Sequence, residues 1–359
     1  SQEYWKILAG CHHQKVDFEA RLTHILDKKL KQFDVASEQD AQKLRETLLA
    51  LAKGHLLVQA LEKKQRKRKP SPPFITSTLQ QEAVRKLGFT ARKAMMVAQQ
   101  LYEGIDIGSK TIGLITYMRT DSLNLSTDAV NDIRAYIEGK YGASFCPDKP
   151  RLYKTKSKNA QEAHEAIRPT SISVEPDTIK AHLTPEQFKL YDLIWKRTVA
   201  CQMNHATLDT VAVDLAAGEG NCFRANGSVI ADPGFMRVYQ ISVDENKKGE
   251  EESRILPPMA KGDKIKLNEI NCSQHFTEPP PRYTEASLVQ TLEEYGIGRP
   301  STYATIIATL LQRDYVTLQQ KRFMPTDVGR IVNKFLTQYF SQYVDYDFTA
   351  KLEDELDAV

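Results

Sequence analysis

The chain has 359 residues, with 49 Lys and Arg against 46 Asp and Glu for a formal net charge of +3, and 41% apolar and 26% charged residues. That length allows roughly two to three domains with real cores, and the near-neutral balance leaves any nucleic-acid contact to local basic patches. No run of about eighteen apolar residues and no signal peptide are found, so no membrane partner and a cytoplasmic location are expected.

Residues 1–73 open with strand-like runs at 4–9, 16–25 and 55–61. The run Lys63-Lys64-Gln65-Arg66-Lys67-Arg68-Lys69, followed by Pro70-Ser71-Pro72-Pro73, reads as a solvated, semi-rigid connector. Alternatively it is a hinge that contacts phosphates, since clustered Lys and Arg release counterions from a nucleic-acid backbone. Ser77-Thr78-Leu79-Gln80 resembles a capping box, and Leu79, Ala83, Val84 and Leu87 recur at helical spacing until Gly88. A second helix starts at Thr90 and carries Ala94, Val97, Ala98 and Leu101 on one face, with Gly104 as its stop.

The stretch Leu114-Ile115-Thr116-Tyr117-Met118-Arg119-Thr120-Asp121-Ser122 reads as a mostly apolar strand. In extended chain Tyr117 and Arg119 share a face, an arrangement suited to attack on a phosphodiester. A half-buried strand with a core tyrosine and a surface arginine explains the same spacing. Ser126 or Thr127 then caps a helix carrying Val130, Ile133 and Ile137. Residues 161–168 read as a helix stopped by Pro169, with His164 and Arg168 at i and i+4. Such a pair is either a solvated face or a phosphate clamp. Residues 190–203 read as a packed helix around Trp195.

From about 205 to 277 the period changes to two: Val211, Val213 and Leu215 alternate with polar or small residues, as do Ile265 and Leu267. This is an antiparallel sheet that the N-terminal strands could join, with a helical domain inserted between its halves. Thr284 caps a further helix closed by Gly296. The turn Gly296-Ile297-Gly298-Arg299-Pro300 leads to Ser301 or Thr302 as the next cap, and a hairpin follows at 315–324. Helix, turn, helix and hairpin describe a winged-helix-like nucleic-acid module, or a purely structural helical hairpin. The fold class is therefore mixed α and β. Cys11, Cys146, Cys201, Cys222 and Cys272 are widely spaced, which argues against a zinc site and a disulfide framework. The chain begins at Ser1 and stops inside a charged helical stretch, as an excised piece of something longer would.

Residues 74–80, 114–122, 161–169, 275–280, 283–289 and 296–303 resemble, block by block, the bacterial type IA DNA topoisomerases in their topoisomerase I branch. The resemblance implies a torus in which 1–73 and 205–277 form a β-rich arch, 74–204 the helical domain bearing the nucleophile, and 278–359 part of a helical base domain. It implies relaxation of negatively supercoiled DNA by transient single-strand cleavage, through a 5′-phosphotyrosyl intermediate, strand passage and religation. Tyr117 matches the nucleophile and Arg119 the cation beside it. His164 and Arg168 match a phosphate-gripping segment, and Arg299, Ser301 and Thr302 a DNA-binding turn. The implied partners are single-stranded and negatively supercoiled DNA, with a monomer expected. The family holds Mg2+ through acids of an N-terminal Toprim domain, which also supplies a lysine proposed to protonate the leaving oxygen. No counterpart is found here: Asp345-Tyr346-Asp347 imitates the acidic motif, but Thr349 stands where a third acid is expected. No cysteine-rich zinc ribbon follows either. The resemblance thus implies a core fragment that binds DNA without relaxing it alone. Two rivals stand beside it, a non-catalytic single-stranded DNA-binding module and a tyrosine recombinase with a 3′-phosphotyrosyl link.

Overall fold

The computed structural model describes residues 1–154, 164–240 and 255–357. They fall into two compact units: the described parts of Ser1–Arg68, Ala206–Pro233 and Glu245–Pro281, and those of Lys69–His205, Gly234–Asp244 and Arg282–Val359.

The first unit is built on alternation. Its strands are β1 (Glu3–His13), β2 (Val16–Ile25), β3 (Lys28–Lys29), β4 (His55–Arg68), β7 (Ala206–Ala216), β8 (Cys222–Asp232) and β9 (Lys264–Phe276); β5 (Ile105–Asp106) and β6 (Thr111–Ile112) lie in the second unit. They form one antiparallel sheet in the order β1-β9-β4-β7-β8-β2-β3, so the N-terminal strands share a sheet with those after residue 205. Because β1 also pairs with β2, from Leu8↔Arg21 to His13↔Val16, the sheet closes on itself. Closure removes the unpaired edges that an open sheet must otherwise protect. Inside lie Ile7, Ala9, Leu22, Leu56, Val213, Leu215, Phe223 and Ile265.

One helix of this unit, α1 (Glu38–Ala52), was not among the sequence expectations for 1–73. Its signals are nevertheless present: the Ser37 hydroxyl accepts the Asp40 N–H at 3.2 Å, and Ala41, Leu44 and Leu48 pack on the sheet core. The connector expected at 63–69 is corrected. Residues 63–68 continue β4, in register with β7 from Lys63↔Val211 to Arg68↔Ala206. Their side chains are exposed as expected, but the ladder satisfies backbone groups that a solvated linker would leave to water.

The second unit is mostly helical. It contains α2 (Thr76–Glu82), α3 (Ala91–Glu103), α4 (Thr127–Tyr141), α5 (Pro176–Ile179), α6 (Pro185–Cys201), α7 (Glu285–Tyr295), α8 (Tyr303–Gln312), α9 (Asp327–Tyr339) and α10 (Tyr346–Asp357). Thr90, Ser126 and Thr284 cap α3, α4 and α7 through their hydroxyls. The first cap differs from expectation: α2 starts one residue before Ser77, and the Thr78 hydroxyl accepts the Ile75 N–H at 3.0 Å. Past Glu82 the helix widens into a π-helical turn, Ala83–Leu87, and ends at Gly88 with a left-handed φ of 67°. After α8 come β10 (Val316–Gln319) and β11 (Arg322–Pro325), a hairpin that completes the expected winged-helix pattern. Val289, Tyr303, Ile307 and Phe323 tie α7, α8 and the hairpin together around Ala91.

Buried polar groups hold α2 in place. Arg197 of α6, only 5% exposed, donates to the Pro72 carbonyl at 2.6 Å and to the Tyr239 hydroxyl at 3.2 Å. The Tyr239 hydroxyl in turn donates to the Glu82 carboxylate at 2.5 Å. Burial pushes the Tyr239 phenol up, which keeps it a donor.

Phe223 is fully buried in the closed sheet. Phe223→Ala is expected to destabilise the first unit by about 3–5 kcal/mol, read as a lower urea midpoint. An unchanged midpoint would show that the sheet is not closed around this residue.

Candidate active site

The stretch 114–122 has almost no sheet ladder, so its backbone polar groups must be satisfied otherwise. The expected strand is corrected to an irregular segment, bent at Thr116, Met118 and Arg119, with one isolated bridge, Ile115↔Pro169. Two threonines do much of what a ladder would do. On one side the buried Thr76 hydroxyl, at the start of α2, donates to the Met118 carbonyl at 2.7 Å and accepts the Thr120 N–H at 2.9 Å. The Thr76 N–H donates to the Thr120 carbonyl, also at 2.9 Å. On the other side the Thr116 N–H donates to the Arg168 carbonyl at 2.9 Å. The Thr116 hydroxyl donates to the Ala166 carbonyl at 2.7 Å and accepts the Arg168 N–H at 3.0 Å. Farther back, the Leu114 N–H reaches the Leu101 carbonyl at 2.8 Å, fastening the segment to α3.

Held this way, the segment alternates. Leu114 and Ile115 anchor it in the interior, then Met118 and Thr120 point inward at 1% and 3% exposure, while Tyr117 and Arg119 are exposed. Both residues of the expected pair are therefore exposed, although a core strand is not the cause. Tyr117 is 45% exposed and rests edge-on against Tyr102, ring centroids 5.3 Å apart. Among the described residues neither the Tyr117 hydroxyl nor the Arg119 guanidinium has a hydrogen-bond or ion-pair partner.

The helix expected at 161–168 is corrected for the residues that are described. Residues 161–163 lie outside them, and 164–168 form no helix, with Ile167 bridged to Phe74. His164 and Arg168 therefore do not share a helix face. The physical reason lies in the pairing: the Ala166 and Ile167 N–H groups donate to the Asn124 and Phe74 carbonyls at 2.8 Å each. His164 is exposed. Arg168 is oriented instead by Glu165, which receives Nη2 at 2.7 Å and Nε at 3.0 Å and itself accepts the Ser126 N–H at 2.8 Å. Through Thr116, Arg168 sits one residue along the chain from the contacts that fix Tyr117.

The turn before α8 is held more tightly than its sequence suggests. The Arg299 guanidinium meets three carboxylates of α10, Asp357 at 2.7 Å and Glu353 and Asp354 at 3.0 Å each. It also donates to the Gly298 carbonyl at 2.8 Å. Thr302 occupies the N-cap position of α8 but does not cap it through its side chain; its hydroxyl accepts the Arg299 N–H at 2.8 Å. Ser301 is exposed in the turn. Burial, then the charges of Glu293, Glu353 and Asp121 against that of Arg299, push the Tyr303 phenol up. Asp121 therefore belongs to the same neighbourhood as this turn, two residues from Arg119. Thr76 and Thr116 were not among the expected site residues, because a threonine's partner across the fold leaves no trace in spacing.

The chain carries a closed antiparallel sheet, a winged-helix-like module and an exposed tyrosine and arginine on a pinned segment. The model of the DNA topoisomerase family matches residues 1–359, and the chain belongs to that family. It is 54% identical to DNA topoisomerase 1 of Rickettsia felis, over 100% of this chain and 46% of that protein. It is likewise 54% identical to DNA topoisomerase 1 of Xylella fastidiosa, over 100% of this chain and 44% of that protein. The fold matches full-length topoisomerase I from Thermotoga maritima with a TM-score of 0.81 and 32% identity, covering 99% of this chain and 55% of that one. The chain thus spans about half the length of the relatives it matches.

Thr76→Val keeps the shape of a buried side chain but leaves the Thr120 N–H and Met118 carbonyl without their shared partner. It is expected to cost about 1–3 kcal/mol locally. Trypsin should then cut after Arg119 faster than in the unaltered chain, while far-ultraviolet circular dichroism stays the same. Equal cutting rates would mean that Thr76 does not restrain the segment.

Proposed function

We propose that this chain carries the nucleophile of a DNA strand-cleaving and religating reaction, that of a type IA topoisomerase relaxing negatively supercoiled DNA. The observation behind the reading is the pair Tyr117 and Arg119: two residues apart, both exposed and without hydrogen-bond or ion-pair partners among the described residues, on backbone that two threonines fix. The Tyr117 oxygen attacks a phosphodiester of a single strand and loses its proton. The phosphorus–O3′ bond breaks, the leaving 3′ oxygen takes up a proton, and a 5′-phosphotyrosine remains. Religation reverses each step after another strand has passed.

A neutral phenol is a weak nucleophile, so the developing charge must be stabilised. Arg119 suits that role, because a guanidinium presents a planar fork to two phosphate oxygens and strengthens its hold as charge grows. Arg168 and His164 are assigned the neighbouring phosphate. Arg299, Ser301 and Thr302 are assigned the strand as it passes α8, whose first turn has no side-chain cap to compete with an anion. The first unit is read as the β-rich arch, and the chain as acting on DNA in the bacterial cytoplasm as a monomer. The magnesium that the family resemblance implies finds no fitting ligand set: among the described residues no group of three or more His, Cys, Asp or Glu side chains is placed to hold a metal. No step here is routed through a metal.

A non-catalytic reading has one observation in its favour. Tyr102 and Tyr117 are both exposed and meet edge-on, a surface on which a base could stack. Labelled oligonucleotides separate the two. With the N-terminal portion of a full-length relative added, a single strand labelled at its 3′ end should become covalently attached, and one labelled at its 5′ end should be released. Tyr117→Phe, which keeps the ring, should abolish the adduct, and Arg119→Ala should slow its formation by about 10²–10³-fold. An adduct that survives Tyr117→Phe, or that retains the 5′ label, would sink the proposal.

A further inference from the structure

The outer part of β4 is an unusual strand. After a bulge between Val58 and Ala60 the row that faces the core holds Leu61, opposite the fully buried Val213. The same row then continues as Lys63, Gln65 and Lys67, and the opposite row as Lys64, Arg66 and Arg68. Every residue from Glu62 to Arg68 is exposed, so along this stretch both rows of β4 reach water, while its partner β7 stays partly buried. β9 borders β4 only from His55 to Leu57, and no described strand pairs with the outer edge beyond it.

Opposite charge on the ribbon is sparse and largely committed. Glu62 pairs with Lys64 at 2.5 Å and with Arg224 at 3.5 Å. Asp209 accepts a hydrogen bond from Gln65 at 3.1 Å. Among the described residues, Lys63 and Lys67 have no carboxylate within ion-pair distance. Cations on an edge strand also deter other chains from adding to it. One cation is enough for that, whereas this strand places two on one face, Lys63 and Lys67, and three on the other, Lys64, Arg66 and Arg68.

We propose that the outer β4 ribbon is a second DNA contact, in which Lys63 and Lys67 bind backbone phosphates independently of base sequence and apart from the Tyr117 site. The inference rests on the DNA-handling reading above. A phosphate backbone is the polyanion whose charge spacing a row of same-face lysines can follow, and its binding releases condensed counterions.

The test is the salt dependence of binding of the whole chain to a fluorescent single strand of mixed sequence, and to the matching duplex, by anisotropy. In Lys63→Gln/Lys67→Gln the slope of log K against log salt should fall by about 1.4 on the single strand, or about 1.8 on the duplex, at about 0.7 or 0.9 per lost contact. The arm whose loss of slope, divided by about 0.7 for the single strand or about 0.9 for the duplex, accounts for more lost contacts identifies the preferred form. The thermal melt should not move, since both side chains are exposed. The control Lys31→Gln/Lys43→Gln removes the same charge from exposed positions elsewhere in the unit and should leave the slope unchanged. If the unaltered chain binds neither DNA, the functional reading itself fails. If it binds but the ribbon variant keeps the slope, or the control loses as much, the second contact is overturned and the functional reading stands.

Discussion

The hydroxyl of Thr76 is the point on which the site depends. It is fully buried, it accepts the Thr120 N–H, and it donates to the Met118 carbonyl, so one oxygen brackets Arg119 by its two backbone neighbours. Thr116 does the same on the near side of Tyr117 by engaging Ala166 and Arg168. A loop with its N–H and C=O groups left to water would sample many conformations, and each would aim Tyr117 differently. Satisfying those groups from neighbouring segments selects one conformation without a second strand alongside. That leaves Tyr117 exposed, as the proposed attack on a phosphodiester requires and a sheet interior would deny.

Some of this was legible in the residues. The period-two pattern at Val211, Val213 and Leu215 located the sheet, and hydroxyl caps at Thr90, Ser126 and Thr284 located helix starts, because both signals are local. The segment 114–122 itself was legible only in part: its apolar run marked the interior anchors Leu114 and Ile115, while the bends at Thr116, Met118 and Arg119 come from partners elsewhere in the fold. What failed was non-local. Residues 164–168 look helical until the Phe74 and Asn124 carbonyls claim their N–H groups. The basic run 63–68 looks like a linker until β7 supplies eleven residues to pair with it and the length of β4 before it. In both places tertiary partners overrode the composition that local reasoning relies on. The helix α1 is the opposite case: a cap at Ser37 and helical spacing were present in the sequence.

The three arginines assigned to phosphate differ in what they already hold, and the difference bears on how each would act. Arg119 faces solvent and has no partner among the described residues, so an incoming phosphate meets it directly. Arg168 is oriented by Glu165 and Arg299 by Glu353, Asp354 and Asp357. These pairs are only partly solvated, and Arg299 has three carboxylates where Arg168 has one, so an incoming anion displaces the Arg168 pair more readily than the Arg299 network. Phosphate offers the same bidentate geometry with more charge. The carboxylates therefore act less as locks than as guides: they hold two long side chains extended toward the surface, reducing the rotamer entropy that each would lose on meeting DNA. Arg119 has no such guide. Its backbone is already fixed on both sides by Thr76, so the freedom that remains lies in the side chain, which in the reaction proposed above lets the cation follow the charge from the phenol to the leaving oxygen.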